Sequence, residues 1–384
     1  LIAYLKQEKE NMITLLEKLV NIDSNSYDKQ GVDKIGAALQ QEFEAIGMSV
    51  AIHREKEYGN HLSITSPHAK QPGILIIAHM DTVFSEGEAK SRPFEIIGGK
   101  AYGPGVNDEK ASHVQVLYAM KVLKEIGSPA FHNVYILFNS DEEIGSPSSK
   151  ALIKEAAAGK KYSLVVECGR PNEGVVTSRK GVGRFTMRVS GKSAHAGVEP
   201  EIGRSAIEEM AHKIIKLQQL NDYKNGISVN VGLIDGGTSA NTVSPEAEAV
   251  IDVRVRNKQQ ADEVVKDIYS IAEEDTVHGT DTEVNGRISR PPMEETKESK
   301  QLLKEVKEIG KQLGLVIHGE STGGASDAAF TAAEGIPTID GMGPVGEFSH
   351  SETDEYMVID SLIERTALLA KTIERLSQQK MEGN

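Results

Sequence analysis

Tryptophan is absent, and aromatic residues make up 5% of the 384-residue chain. So few rings leave little from which to build a stacking platform for sugars or nucleobases. There is one cysteine, Cys168, which excludes an internal disulfide framework and fits a reducing compartment. Basic residues are in deficit: 43 Lys and Arg stand against 57 Asp and Glu, for a net charge of −14. A chain without a basic footprint is not built to bind nucleic acid. Long apolar runs are missing too. Stretches such as 74–78 and 134–138 fall far short of the roughly 20 residues that cross a bilayer, so no membrane partner is expected. The opening LIAYLKQEKE mixes acids with bases around an apolar stretch too short for a secretory leader, and the expected location is cytoplasmic.

What is present is an ordinary globular composition, 39% hydrophobic and 26% charged. At about 150 residues per domain the length implies two or three domains. Helical spacing of apolar residues occurs near 5–20 and over 32–47, the latter closed by Gly47. Short apolar runs at 49–53, 74–78, 134–138 and 164–167 have the pattern of strands buried on both faces, with helices at 111–126 and 148–158 between them. That alternation predicts an α/β fold with a mixed, largely parallel sheet. Near residue 180 the pattern changes. Strands at 184–190, 227–233, 247–256 and 282–289 and helices at 205–220 and 259–274 follow the order β-α-β-β-α-β of a ferredoxin-like unit. After Pro291 and Pro292 the α/β pattern resumes: helix 299–313, strand 315–318, helix 327–334, strand 338–340 and helix 359–376. The expected organisation is a domain of residues 1–179 and 290–384 with an inserted α+β domain of 180–289, and a ligand cleft between them.

Several short motifs carry acids and histidines to the ends of these strands. His79-Met80-Asp81 follows the run 74–78; it is compatible with a surface turn, or with a metal-binding His79 whose second ring nitrogen is fixed by Asp81. Asp108 follows the glycine-rich GPGVN, either as a helix cap or as a carboxylate brought close to another group. Asp141-Glu142-Glu143 ends the strand 134–138. Three adjacent carboxylates repel, so the run marks either a cation or a solvated loop. Glu167 ends the strand 164–166, and His350 lies in GEFSH. Carboxyl ends of parallel strands converge on one crevice. Two histidines and three carboxylates without cysteine suit two Zn²⁺ ions that share a carboxylate, +4 against −3. Co²⁺ or Mn²⁺ suits the same donors.

Taken in order, AHMDTV (78–83), AYGPGVNDEK (101–110), LFNSDEEIGS (137–146), GKSAHAG (191–197), SANTVSP (239–245), DVRVR (252–256), SRPP (289–292), TGGASDAAF (322–330) and FSH (348–350) resemble the M20 metallopeptidase family, and within it the bacterial glutamate carboxypeptidase type. The resemblance spans nearly the whole chain. It implies that His79 and Glu167 hold one zinc, that Glu143 and His350 hold the other, and that Asp108 bridges them. Glu142 is then the general base and Asp81 orients His79. The inserted domain becomes a lid through which a homodimer forms. His195, stabilising the oxyanion, and Asn241 reach the active site from the partner subunit. Arg254 and Arg290 resemble the binders of a substrate carboxylate, and the turn Gly323-Gly324 lines the same pocket. Glu at position 167 resembles the carboxypeptidase and acylase branches rather than the aminopeptidases. The implied substrate is a small peptide or N-acyl amino acid cleaved at its C-terminal amide; an N-acyl-amino-acid deacylase, an aminopeptidase and a non-catalytic binding protein are the alternatives. Ala111-Ser112 departs from the Gly-Gly of many members, without removing a ligand.

Overall fold

The computed structural model describes residues 1–378. Its chain divides into two compact units, Leu1–Ser178 with Glu295–Ser321 and Ser326–Asn384, and Arg179–Glu294 with Thr322–Ala325. The first is built on a six-stranded sheet. Its strands are β1 (Ser49–His53), β2 (His61–Thr65), β3 (Ile74–His79), β4 (Val134–Asn139), β5 (Tyr162–Val165) and β10 (Thr338–Ile339). They lie in the order β1-β2-β4-β3-β5-β10. The strands from β4 to β10 run parallel, while β2 is antiparallel to β4 and β1 to β2. β3 is the apolar run ILIIAH, buried along its whole length, as a central strand covered on both faces must be. Helix Ala111–Glu125 packs against Ile359–Gln378 and is buried almost all round. That explains why its apolar residues follow no single stripe.

Two strand expectations need correction. The run 49–53 is not buried on both faces. β1 is an exposed edge strand, paired among the described residues with β2 alone, whose polar letters (HLSIT) hid it from a hydrophobic reading. In β2, Ser63 Oγ lies 2.9 Å from His53 Nε2 and His61 Nε2 lies 3.0 Å from Ser148 Oγ, so polar side chains sit inside because partners meet them. The run 315–318 is not a strand either; pairing begins at Gly319–Thr322. Gly314 ends helix Lys297–Leu313 with φ +82°, and Leu315 N–H returns to Gly310 C=O at 2.9 Å. Leu315 and Ile317 are buried as the apolar follow-on of that cap rather than in a ladder.

The second unit is a four-stranded antiparallel sheet of β6 (Gly181–Ser190), β7 (Ser228–Gly236), β8 (Glu246–Val255) and β9 (Asp281–Arg290), in the order β7-β8-β6-β9. With helices Ala206–Gln219 and Lys258–Glu273 the chain order is β-α-β-β-α-β. β6 alternates buried and open positions: Phe185, Met187 and Val189 join Ile251, Val253, Met210 and Ile268 in one core. Thr322–Ala325 belongs here because Lys180 N–H and Arg179 Nη1 donate to the carbonyls of Thr322 and Gly324 at 3.2 Å each. Among the described residues no helix is long and apolar enough to cross a membrane.

Candidate metal centre

Parallel strands bring their carboxyl ends to one edge of the first unit's sheet. His79 ends β3, the turn Glu142–Ile144 follows β4, and Glu167 lies two residues beyond β5. His79 Nε2 sits 3.0 Å from Asp108 Oδ1 and 3.9 Å from Glu167 Oε1. The other oxygen of Asp108 is 3.4 Å from His350 Nε2, which lies 3.2 Å from Glu143 Oε2. Two donor groups result, His79-Asp108-Glu109-Glu167 and Asp108-Glu143-His350. Within each, the donor atoms lie inside 4.8 Å of one another, and Asp108 belongs to both.

The placement of each side chain has a local cause. Gly105, at φ +70°, turns the chain where an added Cβ would come 2.6 Å from the Thr82 side chain. Lys110, two residues after Asp108, is buried, and its Nζ donates to the carbonyls of Ile22 and Pro104 at 2.8 and 3.1 Å. Asn107 Nδ2 donates to Ser349 Oγ at 2.9 Å, tying the Asp108 loop to the residue before His350. His350 itself has φ +70°, a conformation a non-glycine residue adopts only when its surroundings impose it.

Asp81 does more than orient a ring. Its backbone oxygen lies 2.9 Å from His79 Nδ1, with its carboxylate at 3.5 Å. The carboxylate accepts the N–H groups of Glu142 and Glu143 at 3.1 Å each and the Ser26 hydroxyl at 2.6 Å. One buried acid therefore fixes the histidine and the acidic turn together. Asp141 takes no part in the donor groups. Its carboxylate accepts from Ser148 and Ser149 through backbone and hydroxyl groups, so the acidic triplet splits between two tasks. The sequence reading missed Glu109, whose Oε1 accepts the His79 N–H at 2.8 Å. Its adjacency to Asp108 was the available signal.

The sequence profile of peptidase family M20/M25/M40 matches residues 75–375. The chain belongs to this family. It is a metallopeptidase, an enzyme that hydrolyses peptide C–N bonds. Carboxypeptidase G2 of Pseudomonas sp. strain RS-16 is 31% identical over 382 residues, 97% of this chain and 91% of that relative. Among solved structures, a tripeptidase from Staphylococcus aureus superposes with a TM-score of 0.81 at 25% identity, covering 97% of this chain and 99% of that one. The aminopeptidase PepT from Bacillus cereus gives the same TM-score at 23% identity, covering 96% and 99%.

The electrostatics of this M20 centre are those of a donor set with surplus negative charge in a mostly buried place. Burial and the Asp108 charge push Glu143 up to about 7. Burial, with Glu109 and Asp108 beside it, raises Glu167 well above the usual carboxylate range, and burial raises Glu109 likewise. Burial alone would depress His79; Glu109, Asp108 and Asp81 outweigh it and carry the imidazole well above its ordinary value. Hydrogen bonds to Asp108 and Glu143 lift His350 to about 10. Glu109 Oε2 and Glu143 Oε1 are buried without a hydrogen-bond partner among the described residues. Orphaned carboxylate oxygens facing mixed N and O donors fit divalent cations. Cys168 is buried beside this centre and its thiol is pushed up to about 12, chiefly by burial, which makes it a packing residue rather than a nucleophile.

The five residues expected around the substrate all lie in the second unit. His195 and Asn241 sit side by side on its surface: His195 bridges Thr242, and Ala196 N–H donates to Asn241 C=O at 3.0 Å. Arg254 on β8 and Arg290 on β9 are both opposite Val182 on β6, so they share one face of the sheet, two strand spacings or ~10 Å apart. Arg290 is buried. Arg254 is held by Asp252 through Nε at 2.8 Å and Nη2 at 3.1 Å. Gly324 presents its carbonyl to Arg179.

Proposed function

We propose that the protein is a di-zinc carboxypeptidase that releases a C-terminal amino acid, glutamate-type, from a small peptide or N-acyl substrate. The observation that carries the hydrolytic part is Asp108, with one oxygen toward each histidine. On this reading His79, Asp108 and Glu167 hold one ion and Asp108, Glu143 and His350 the other. Divalent ions bound there supply Lewis acidity, which polarises a carbonyl and makes water acidic near neutral pH. Glu142, buried at the start of the turn fixed by Asp81, takes a proton from the attacking water. The water oxygen adds to the scissile carbonyl carbon. Glu142 then returns the proton to the leaving nitrogen as the C–N bond breaks.

The polarity of the substrate rests on Arg254 and Arg290. Two guanidinium groups on one sheet face suit a terminal carboxylate, and Arg is the side chain that grips it bidentately. A free N-terminus would need an unengaged acid there instead, and the Asp252 carboxylate is taken up by Arg254. The test uses zinc-loaded enzyme and one glutamate-ending dipeptide in two forms, followed by mass spectrometry. Release of free glutamate from the N-acylated, C-terminally free form alone is the expected result. Loss of only the acyl group would make the enzyme a deacylase. Cleavage of the C-terminally amidated, N-terminally free form alone would make it an aminopeptidase.

We propose further that the enzyme is a homodimer joined through the second unit, with His195 serving the partner's centre. The edge strand β7 leaves Leu233 and Ile234 at 67% and 60% exposure, which suits pairing with a second copy. Gly197 N–H donates to His195 Nδ1 at 3.1 Å, which places the ring proton on Nε2 as an outward hydrogen-bond donor. Such a donor to an oxyanion is worth about 10²–10³ in kcat. His195→Ala is expected to lose that much at unchanged zinc content. Mixing it with Glu142→Ala should regain activity, since one mixed site then has both groups; no recovery on mixing would place His195 in its own subunit's site or outside catalysis.

A further inference from the structure

His350 and Asp108 come from segments that are 242 residues apart, and their spacing decides whether one carboxylate can serve both donor groups. The structure joins these segments through a small sheet. Strand Tyr356–Val358 pairs antiparallel with Lys100–Tyr102, with Tyr356 opposite Tyr102, and on its other side with Gly346–Glu347. The loop that carries Asp108 leaves the first of these neighbours, and the hairpin 346–358 carries His350 at its tip.

Glu355 stands at the return of that hairpin and is fully buried. It does not enter either donor group. Its Oε2 accepts the N–H of Gly105 at 3.0 Å, and its Oε1 accepts the N–H of Asn107 and of Asp108 at 3.0 and 3.1 Å. All three donors belong to the four residues that end at Asp108. Neighbouring residues add a second tie, Asn107 Nδ2 to Ser349 Oγ. Across the loop, the Lys110 ammonium binds the Pro104 carbonyl. The buried Glu355 and Lys110 side chains therefore both hold the backbone of one turn, each through main-chain groups. A buried carboxyl group whose oxygens accept only backbone N–H groups defines where that backbone lies, because moving the loop would leave those oxygens and N–H groups unpaired.

We propose that Glu355 is a positioning residue for the peptidase reaction: by gripping the backbone at Gly105, Asn107 and Asp108 from the hairpin that bears His350, it sets Asp108 between the two donor groups. The inference rests on the reading of Asp108 as the shared ligand. Outer partners of metal ligands typically govern affinity by about 10–100-fold.

The experiment compares wild type, Glu355→Gln, Glu355→Ala and Asp108→Asn as metal-stripped full-length protein titrated with Co²⁺. Visible absorption reports the coordination of each ion, and competition with a chromophoric chelator reports its affinity. The Gln variant keeps the volume but presents an N–H₂ toward a backbone N–H. It is expected to fold, to bind Co²⁺ about 10–100-fold more weakly with an altered spectrum, and to lose kcat at unchanged KM. If Glu355→Ala fails to fold, Glu355→Gln alone decides. A purely structural role would lower the melting temperature while leaving Co²⁺ affinity and spectrum as in wild type, and that result overturns the proposal. Asp108→Asn separates the two levels. If it loses tight binding while Glu355→Gln does not, the site reading stands and the positioning role falls. If Asp108→Asn binds both ions as wild type does, both fall.

Discussion

Glu142→Ala is expected to bind its ions like wild type and to lose about two to four orders of magnitude in kcat. The two halves of that expectation have separate structural causes. Glu142 belongs to neither donor group, so its removal takes no ligand from either ion. Its backbone N–H, not its side chain, is what Asp81 holds at 3.1 Å, and alanine keeps that bond. The adjacent N–H of Glu143 is held by the other Asp81 oxygen, so Glu143 stays where His350 meets it. What disappears is a carboxylate able to carry a proton from water to the leaving nitrogen. Turnover of the acylated dipeptide and metal content by mass spectrometry, measured on one preparation, check both halves. Wild-type turnover would remove Glu142 from the chemistry. Loss of metal together with turnover would make it a ligand instead of a base.

Much of this centre was legible in the sequence because its parts lie at the ends of apolar runs. The buried strands ILIIAH and VYILFN deliver His79 and the Asp141–Glu143 triplet, and a reader who places those strands in parallel has placed the acids as well. What was not legible depends on partners far away along the chain. Asp141, Glu142 and Glu143 look alike in sequence, but Asp141 meets two serines that follow the turn and stays out of both donor groups. Glu109 becomes part of the first group because its neighbour Asp108 breaks the helical path, with φ −118° and ψ 89°, so that both acids face His79. Glu355 carries no local signal at all. Its role exists only when a hairpin 247 residues away from Asp108 is folded beside it. The fold shows the same division. Continuous apolar strands were readable, whereas β2 was hidden because its His61 and Ser63 are buried with partners on other segments. The residues 315–317 misled because an apolar run after a helix satisfies a cap as well as a strand.

Stripping the ions with a chelator should abolish turnover and also change how stability depends on pH. Without cations, Asp108, Glu109, Glu143 and Glu167 are left around two histidines in a mostly buried space. Folding then favours protonation: Glu143 is carried up to about 7 and His350 to about 10, while Glu109 and Glu167 move upward as well. The folded ion-free protein thus binds more protons than the unfolded chain, and linkage makes its stability fall as pH rises. The Glu143 contribution is present below its unfolded value near 4.5 and is lost as pH passes about 7. The His350 contribution is full below the unfolded value near 6.5 and is lost toward about 10, damped because that ring is half exposed. Two groups have the opposite sign: Asp108, held below the ordinary carboxylate range, matters only in acid, and Lys110, pushed down to about 7 by burial, offsets part of the fall above that pH. Bound ions reverse the demand, since ligands must be deprotonated to coordinate and binding releases protons. The melting temperature of chelator-treated protein is therefore expected to drop from pH 6 to pH 9, and added Zn²⁺ should raise it more at pH 9 than at pH 6. The rise should grow with zinc concentration, as binding to the folded state alone requires. A melting temperature indifferent to both chelator and zinc would show that these side chains do not form a metal site.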